Sequence, residues 1–354
     1  MLEFHSPLNL IVDDIVIVYN IFYSNDYIYI ISNNYFMEDK ITRFLSLDFK
    51  INHITTDHIN LFSNIETHHE SNNIYKIKNI YGDEHILLTI IYNNNNYEFN
   101  LSEKHFISSE KYDLISLMTL FKSDYELLLV YINYYKSIGI KNFTFYYNYT
   151  FDDLKKLKNI DKIIETIEKD ESIFVNFIEW PYNYWIKFDN NLNHNAQTPA
   201  IADMYYKSSN RFKYLYFNDL DEYLFFDDPK VLNIQDFLKK YDNIDVFQLN
   251  MYWSKYINET IEKDKNGMEL ISYSDLEKNF DVKKFIIQDN PKKNDIVNRS
   301  KILLKTNLGG CSVHKEIRHL YSNNGPIKID YKRKIINGFY HICNFKDKPR
   351  HDKI

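Results

Sequence analysis

The stretch that most constrains the fold is LISLMTLF, residues 114–121. Eight residues interrupted only by Ser116 and Thr119 suit a strand covered on both faces, which implies a parallel sheet with helices on either side. The residues that follow fit that requirement. Ser123 and Glu126 have capping-box spacing, Leu127, Tyr131, Tyr134 and Ile138 then recur at helical intervals, and Gly139 supplies a stop. NFTFYY, residues 142–147, reads as the next strand. Together these segments make a βαβ unit. Its first turn, Lys122 to Glu126, lies at the sheet edge where nucleotides bind, and the helix N-terminus there can attract an anion.

A chain of 354 residues exceeds the usual single-domain size, so two domains are expected. Residues 8–101 read as short strands, IVDDIVIVYN, DYIYIIS, NIYKIKNI, EHILLTIIY and NYEFNLS, separated by Asn, Asp and Gly clusters, with the four Asn between Tyr92 and Tyr97 as a hairpin tip. From about residue 110 strands alternate with helices. The expected division is therefore a β-rich accessory domain over 1–108 and an α/β domain over 109–354. In the second, Thr198 as N-cap and Pro199 at the first helical position predict a helix leading into the strand KYLYF. After VFQLNMYW, a charged stretch from about Asn258 to Asn298 reads as an insertion or a lid.

Composition narrows the function class. The 31 Tyr, 25 Phe and long Asn tracts beside 7 Gly follow from AT-rich codons, so single tyrosines carry little functional weight. A formal net charge of -6 gives no basic field for nucleic acid. Cys311 and Cys343 are too few for a disulfide framework or thiolate metal cluster and point to a reducing compartment. The N-terminal apolar run is broken by Asp13 and Asp14, and no stretch approaches the roughly 20 apolar residues of a membrane span. The expectation is a cytoplasmic protein, in the host cytoplasm for a viral source.

The chemistry is expected at KYLYFNDLDEYLFF. Asp219 and Asp221 stand two apart at the end of an apolar strand, where period-two geometry aims both the same way and Leu220 can enter the core. Such a site suits Mn²⁺ or Mg²⁺, whose shell a nucleotide diphosphate completes. An isolated pair of this kind is usually only a solvated turn. Here the preceding strand, the third acid Glu222 and the aromatic residues that resume at once argue for a site.

Several separated segments resemble glycosyltransferase family 92 and related family 2-like enzymes. KSDYELLLVYINYYKSIGIKNFTFYYNYT is similar to that family's opening, Gln197 with Ala200 and Asp203 to its helix motif, and Asn218 to Leu224 to its acidic motif. Met204 stands in place of a usual Cys, and Tyr223 in place of a usual Phe. Ser300 and Lys301, Val313 and His314, and Phe339 to His341 resemble later family elements, with Ile342 replacing a Tyr. The likeness covers about residues 110–350. It implies a GT-A fold (a Rossmann-like mixed sheet flanked by helices), a nucleotide-sugar donor such as a UDP-sugar, a divalent metal, a glycan or glycoprotein acceptor, and inversion at the anomeric carbon.

With that resemblance, Asp221 and Asp219 are the candidate metal ligands, and His314 and His341 compete to add an imidazole. Asp124, Glu126, Gln197, Asp203, Asp219 and Lys301 are the candidate donor-binding residues, with helix capping as the plainer role of Glu126. The general base is sought among Glu316, Glu222 and Asp289. Trp180, Trp185 and Trp253 offer flat faces; core packing is the plainer reading, and only Trp253 resembles a family position, as an acceptor contact. Two other classes stay open: a catalytically silent glycan-binding protein and a metal-dependent nucleotidyltransferase.

Overall fold

A computed structural model places the apolar run in the interior of a ten-stranded mixed sheet. Its strands are, in chain order, β1 (Leu2–His5), β2 (Asp113–Phe121), β3 (Asn142–Tyr147), β4 (Phe174–Glu179), β5 (Phe212–Phe217), β6 (Glu222–Leu224), β7 (Val246–Tyr256), β8 (Phe285–Ile287), β9 (Lys301–Lys305) and β10 (Arg333–Ile342). The helices are α1 (Leu128–Ser137), α2 (Phe151–Leu154), α3 (Ile160–Glu168), α4 (Gln197–Ser208) and α5 (Ile234–Lys240). The structure describes residues 1–256 apart from 34, 39–40, 45, 64–71, 83–84, 108–112, 123, 189–190, 195, 210 and 227. Beyond 256 it describes mainly 262–263, 269–270, 280–287, 301–306, 319–322, 325–328 and 332–342.

The strand order is β1-β4-β3-β2-β5-β9-β7-β10-β6, with β8 paired to β7. From β1 to β5 every pairing is parallel. β9 then runs antiparallel to both β5 and β7, and β6 antiparallel to β10. The chain leaves β2 outward through β3 and β4 and returns to β5 on the other side of β2. That reversal makes a topological switch point, and beyond the carboxyl ends of β2 and β5 lies a small crevice lined by Met118, Leu120, Phe217 and Asp219.

Alternation along the central strands explains why they are apolar throughout. Ile115, Leu117 and Phe121 of β2, with Tyr214 and Tyr216 of β5, face α1, α3 and α5. Met118, Leu215 and Phe217 face the other way, onto Ala200, Ile201, Met204 and Tyr205 of α4. Tyr19, Phe22, Tyr29 and Ile31 of the N-terminal strands join that second layer.

Those N-terminal strands supply five strands of a seven-stranded sheet and all of a four-stranded one, and share a core of their own, including Ile17, Ile28, Ile30, Phe49, Leu88 and Ile90. IVDDIVIVYN is a hairpin rather than one strand: Asp13 and Asp14 both take positive φ, giving a two-residue turn between Leu10–Val12 and Ile15–Tyr23. Asn93 and Asn94 form a second such tip. Strands from both sides cross the boundary expected at 108/109. β1 pairs with β4, and His319–Ser322 pairs with His58–Ser63 in the seven-stranded sheet.

Two helix starts differ from expectation. The residues before α1 form a 3₁₀ turn, Tyr125–Leu127, flanked by Asp124 with no side-chain cap, and Ser123 lies outside the described residues. α4 begins two residues before Pro199, which is tolerated because an amide in the first helical turn has no intrahelical acceptor to lose. Among the described residues no helix is long and apolar enough to cross a membrane.

Candidate active site

β5 ends at Phe217, and the next four residues turn the chain back into β6. The Glu222 amide donates to Asp219 O (3.1 Å), and Glu222 Oε2 accepts from the Asp219 amide (2.8 Å), so the side chain of Glu222 closes the turn that its backbone begins. Leu220 is buried in the core between them. Asp219, Asp221 and Glu222 can then each bring a carboxylate oxygen within 4.8 Å of the others. The convergence comes from this turn and not from alternation along an extended strand, which corrects the expected geometry and explains why Glu222 joins the pair. Asp221 and Glu222 are buried, whereas the Asp219 side chain is 40% exposed.

The turn is held from behind by α1. Tyr131, Tyr134 and Tyr135 lie on one helical face at i, i+3 and i+4. Tyr131 OH donates to Asn218 Oδ1, and Tyr134 OH donates to Leu224 O. Tyr135 OH donates to Glu222 O (2.9 Å) and accepts from Asn218 Nδ2 (2.7 Å) and Leu224 N (3.1 Å). From β2, Thr119 Oγ1 donates to Asn218 O (2.9 Å). Burial raises the Tyr131 and Tyr135 phenols well above their ordinary value, so both stay protonated.

Lys301 opens β9. Ile302 is the register partner of Phe217, so Lys301 falls one step beyond the end of β5, beside the turn. Its ammonium reaches Asp219 Oδ2 at 2.8 Å and Glu222 Oε2 at 3.3 Å and is almost fully buried. Burial alone would lower its pKa, but Asp219 and Glu222 outweigh that and hold it raised, so it remains a cation. Three carboxylates against one ammonium leave two formal negative charges.

The other wall of the crevice carries Gln197 and Tyr184. Gln197 lines a small cavity with Asn218, Asp219 and Lys301, and its Oε1 accepts from Tyr184 OH (3.3 Å). Burial raises the Tyr184 phenol, and Asp219, Asp124 and Glu222 add to that while Lys301 opposes it. Asp124, in the β2–α1 connection, therefore shares the electrostatic surroundings of the acidic turn. Glu126 lies half-buried in the 3₁₀ turn beside it.

Asp203 is placed elsewhere. Two residues beyond Ile201, it sits on the opposite side of α4, where its fully buried carboxylate accepts from Asn20 Nδ2 (2.7 Å), Tyr146 OH (2.6 Å) and Lys207 Nζ (2.8 Å). Trp180 is core, its Nε1 donating to Ala196 O. Strand register puts Glu222 beside His341 and His341 beside Trp253, one row across β6, β10 and β7 at the level of the acidic turn. The side chains of His341, Trp253 and Trp185, and residues Asp289, His314 and Glu316 entirely, lie outside the described residues. The α1 tyrosines and Tyr184 carry no sequence signal beyond helical spacing and position, and Asn218 none beyond heading the segment that resembles the acidic motif. Only the fold reveals what they hold.

Residues 114–298, just over half of the 354, match the family model described as glycosyltransferase family 92. The match starts with β2 and stops short of β9, so Lys301 and His341 lie beyond it. No curated protein matches the chain.

Proposed function

The chain belongs to glycosyltransferase family 92, and on that premise we propose that it moves a sugar from a nucleotide-diphosphate donor to a hydroxyl of a glycan or glycoprotein, within a GT-A-type fold. The observation that carries this reading is the convergence of Asp219, Asp221 and Glu222, with Lys301, at the switch point beyond β5. A parallel sheet offers a nucleotide its binding crevice at that place.

The donor set fits a hard divalent cation. Among the described residues it consists of carboxylate oxygens alone, with two formal negative charges left after Lys301. Asp221 and Asp219 would hold Mn²⁺ or Mg²⁺, which when bound neutralises charge on the departing diphosphate. Asp219, being part exposed, is the carboxylate that faces an incoming donor. Asp124 and Gln197 supply polar groups for the nucleoside, a UDP in the simplest reading.

Glu222 is assigned a positioning role instead of that of general base. Its carboxylate already serves the Asp219 amide and Lys301 and is buried, so it is poorly placed to reach an acceptor hydroxyl. In an inverting transfer the acceptor oxygen bonds to the anomeric carbon as the bond to the diphosphate oxygen breaks. The electron pair leaves with the diphosphate, and the acceptor proton passes to a carboxylate base, assigned to Glu316 or Asp289. Trp253, in the row of His341 and Glu222, is the proposed acceptor contact. The proposed setting is the cytoplasm.

Product analysis tests the reading. Incubation with a panel of nucleotide sugars, Mn²⁺ and candidate glycans should release a nucleoside diphosphate with one donor preferred and yield a β- or α-linkage opposite to the donor's. Release of pyrophosphate would convert the assignment to a nucleotidyltransferase. Glycan binding without turnover of any donor would convert it to a binding protein.

A further inference from the structure

The ammonium of Lys301 lies among the same carboxylates that the proposed metal requires. It is 2.8 Å from Asp219 and 3.3 Å from Glu222, on a side chain almost wholly removed from solvent. A divalent cation entering between Asp219 and Asp221 meets a fixed positive charge within a few ångströms. Two like charges at that separation repel appreciably even at high dielectric. The same ammonium borders the small cavity shared with Gln197 and Asp219, next to the part-exposed carboxylate that a diphosphate approaches.

Resting on the donor-site reading above, we infer that Lys301 is a resident counter-cation that couples metal binding to donor binding. With the crevice empty, Lys301 neutralises Asp219 and Glu222 and keeps the acidic turn paired, which lowers the affinity of the cluster for metal. An arriving nucleoside diphosphate offers phosphate oxygens, a better-matched partner for the ammonium. Lys301 transfers to them, its repulsion with the metal is relieved, and the carboxylates are released to the cation. Metal and nucleotide then each tighten the other by the same factor, as linkage requires. The protein thereby avoids holding a bare divalent cation in a site without donor.

The experiment is isothermal titration of the full-length protein with Mn²⁺, alone and in the presence of a saturating nucleoside diphosphate, for the parent, Lys301→Met and Lys301→Arg. In the parent the nucleotide should tighten Mn²⁺ at least about tenfold. Lys301→Met should bind Mn²⁺ alone about tenfold more tightly than the parent, the effect of removing one unit charge at a few ångströms near aqueous dielectric, and its coupling should fall by the same factor, leaving only what direct contact of metal with diphosphate supplies. Lys301→Arg, which keeps the charge, should behave as the parent. Thermal melting provides a second readout: Mn²⁺ alone should raise the melting temperature of Lys301→Met more than that of the parent. A folded Lys301→Met that binds Mn²⁺ no more tightly than the parent, or keeps the parent's coupling, overturns the inference and leaves the donor-site reading standing. Absence of Mn²⁺ binding in every protein, with or without nucleotide, overturns both.

Discussion

Tyr135 shows how far the candidate site depends on side chains that face no ligand. Its hydroxyl satisfies Glu222 O, Asn218 Nδ2 and Leu224 N at once, in a fully buried position. Tyr135→Phe removes one oxygen and takes a partner from three buried polar groups, of which Asn218 Nδ2 and Glu222 O keep their bond to each other (3.1 Å), and a buried bond left unmade costs about 1–3 kcal/mol. Relaxation recovers part of that. The expected outcome is a loss of about 2–3 kcal/mol in urea unfolding together with a fall in kcat, because the turn that aims Asp219 and Asp221 loosens. Stability loss with unchanged turnover would detach the turn from the chemistry. AT-rich codons, the expected source of so many tyrosines, say nothing about their places. Positions 131 and 134 were legible as an inward helical face, but the acidic turn they hold was not, because that contact joins residues about ninety positions apart.

At the scale of elements, α4 serves two layers. Gln197 and Ile201 border the site, while Asp203 on the opposite side binds Asn20 of an N-terminal strand, Tyr146 of β3 and its own Lys207. Asp203→Ala leaves Lys207 and two buried donors without their acceptor, and a loss of about 3–5 kcal/mol is expected in urea unfolding. Nucleotide affinity, measured by titration below the unfolding transition, should hardly change. The helix itself was legible from Thr198 and Pro199, although it begins two residues before that proline. The partner of Asp203 was not, since nothing local foretells that an N-terminal strand packs there, and family likeness pointed to the donor instead. A second tie joins α1 to the loop after α3: Lys136 Nζ lies 2.6 Å from Asp170 Oδ2 and, with Ser172, pulls that carboxyl down to about 2. A depressed carboxyl stabilises the fold above its unfolded value near 4, and the contribution fades as pH falls from about 4 to about 2. Because solvent screens this pair, Asp170→Asn should cost up to about 1 kcal/mol at pH 6 and almost nothing near pH 2.

Across the whole molecule, the N-terminal sheets and the large sheet bury a common layer, with Tyr19, Phe22, Tyr29 and Ile31 packed alongside α4 and β5 residues. β1 completes the edge of the large sheet, and His319–Ser322 returns to the seven-stranded one. We therefore expect one cooperative thermal transition for the full chain, with limited proteolysis near residue 108 failing to release a stable C-terminal fragment. The change from β-rich to alternating grammar near residue 110 was visible in the sequence. The crossings of that boundary were not, because strand pairing between distant segments leaves no local periodicity. The same reason hides the ion pairs of Lys301, a donor-binding candidate by resemblance, with the acidic turn, which it reaches only because β9 inserts between β5 and β7. The central claim is that the acidic turn beyond β5 is the donor site. Its most direct measurement is nucleoside diphosphate release with Mn²⁺ by the parent and by Asp221→Asn, a variant that keeps shape and removes one negative charge. A drop in kcat of at least about a hundredfold in a variant with unchanged melting temperature is the predicted result. Metal-dependent turnover that survives the substitution would place the chemistry elsewhere.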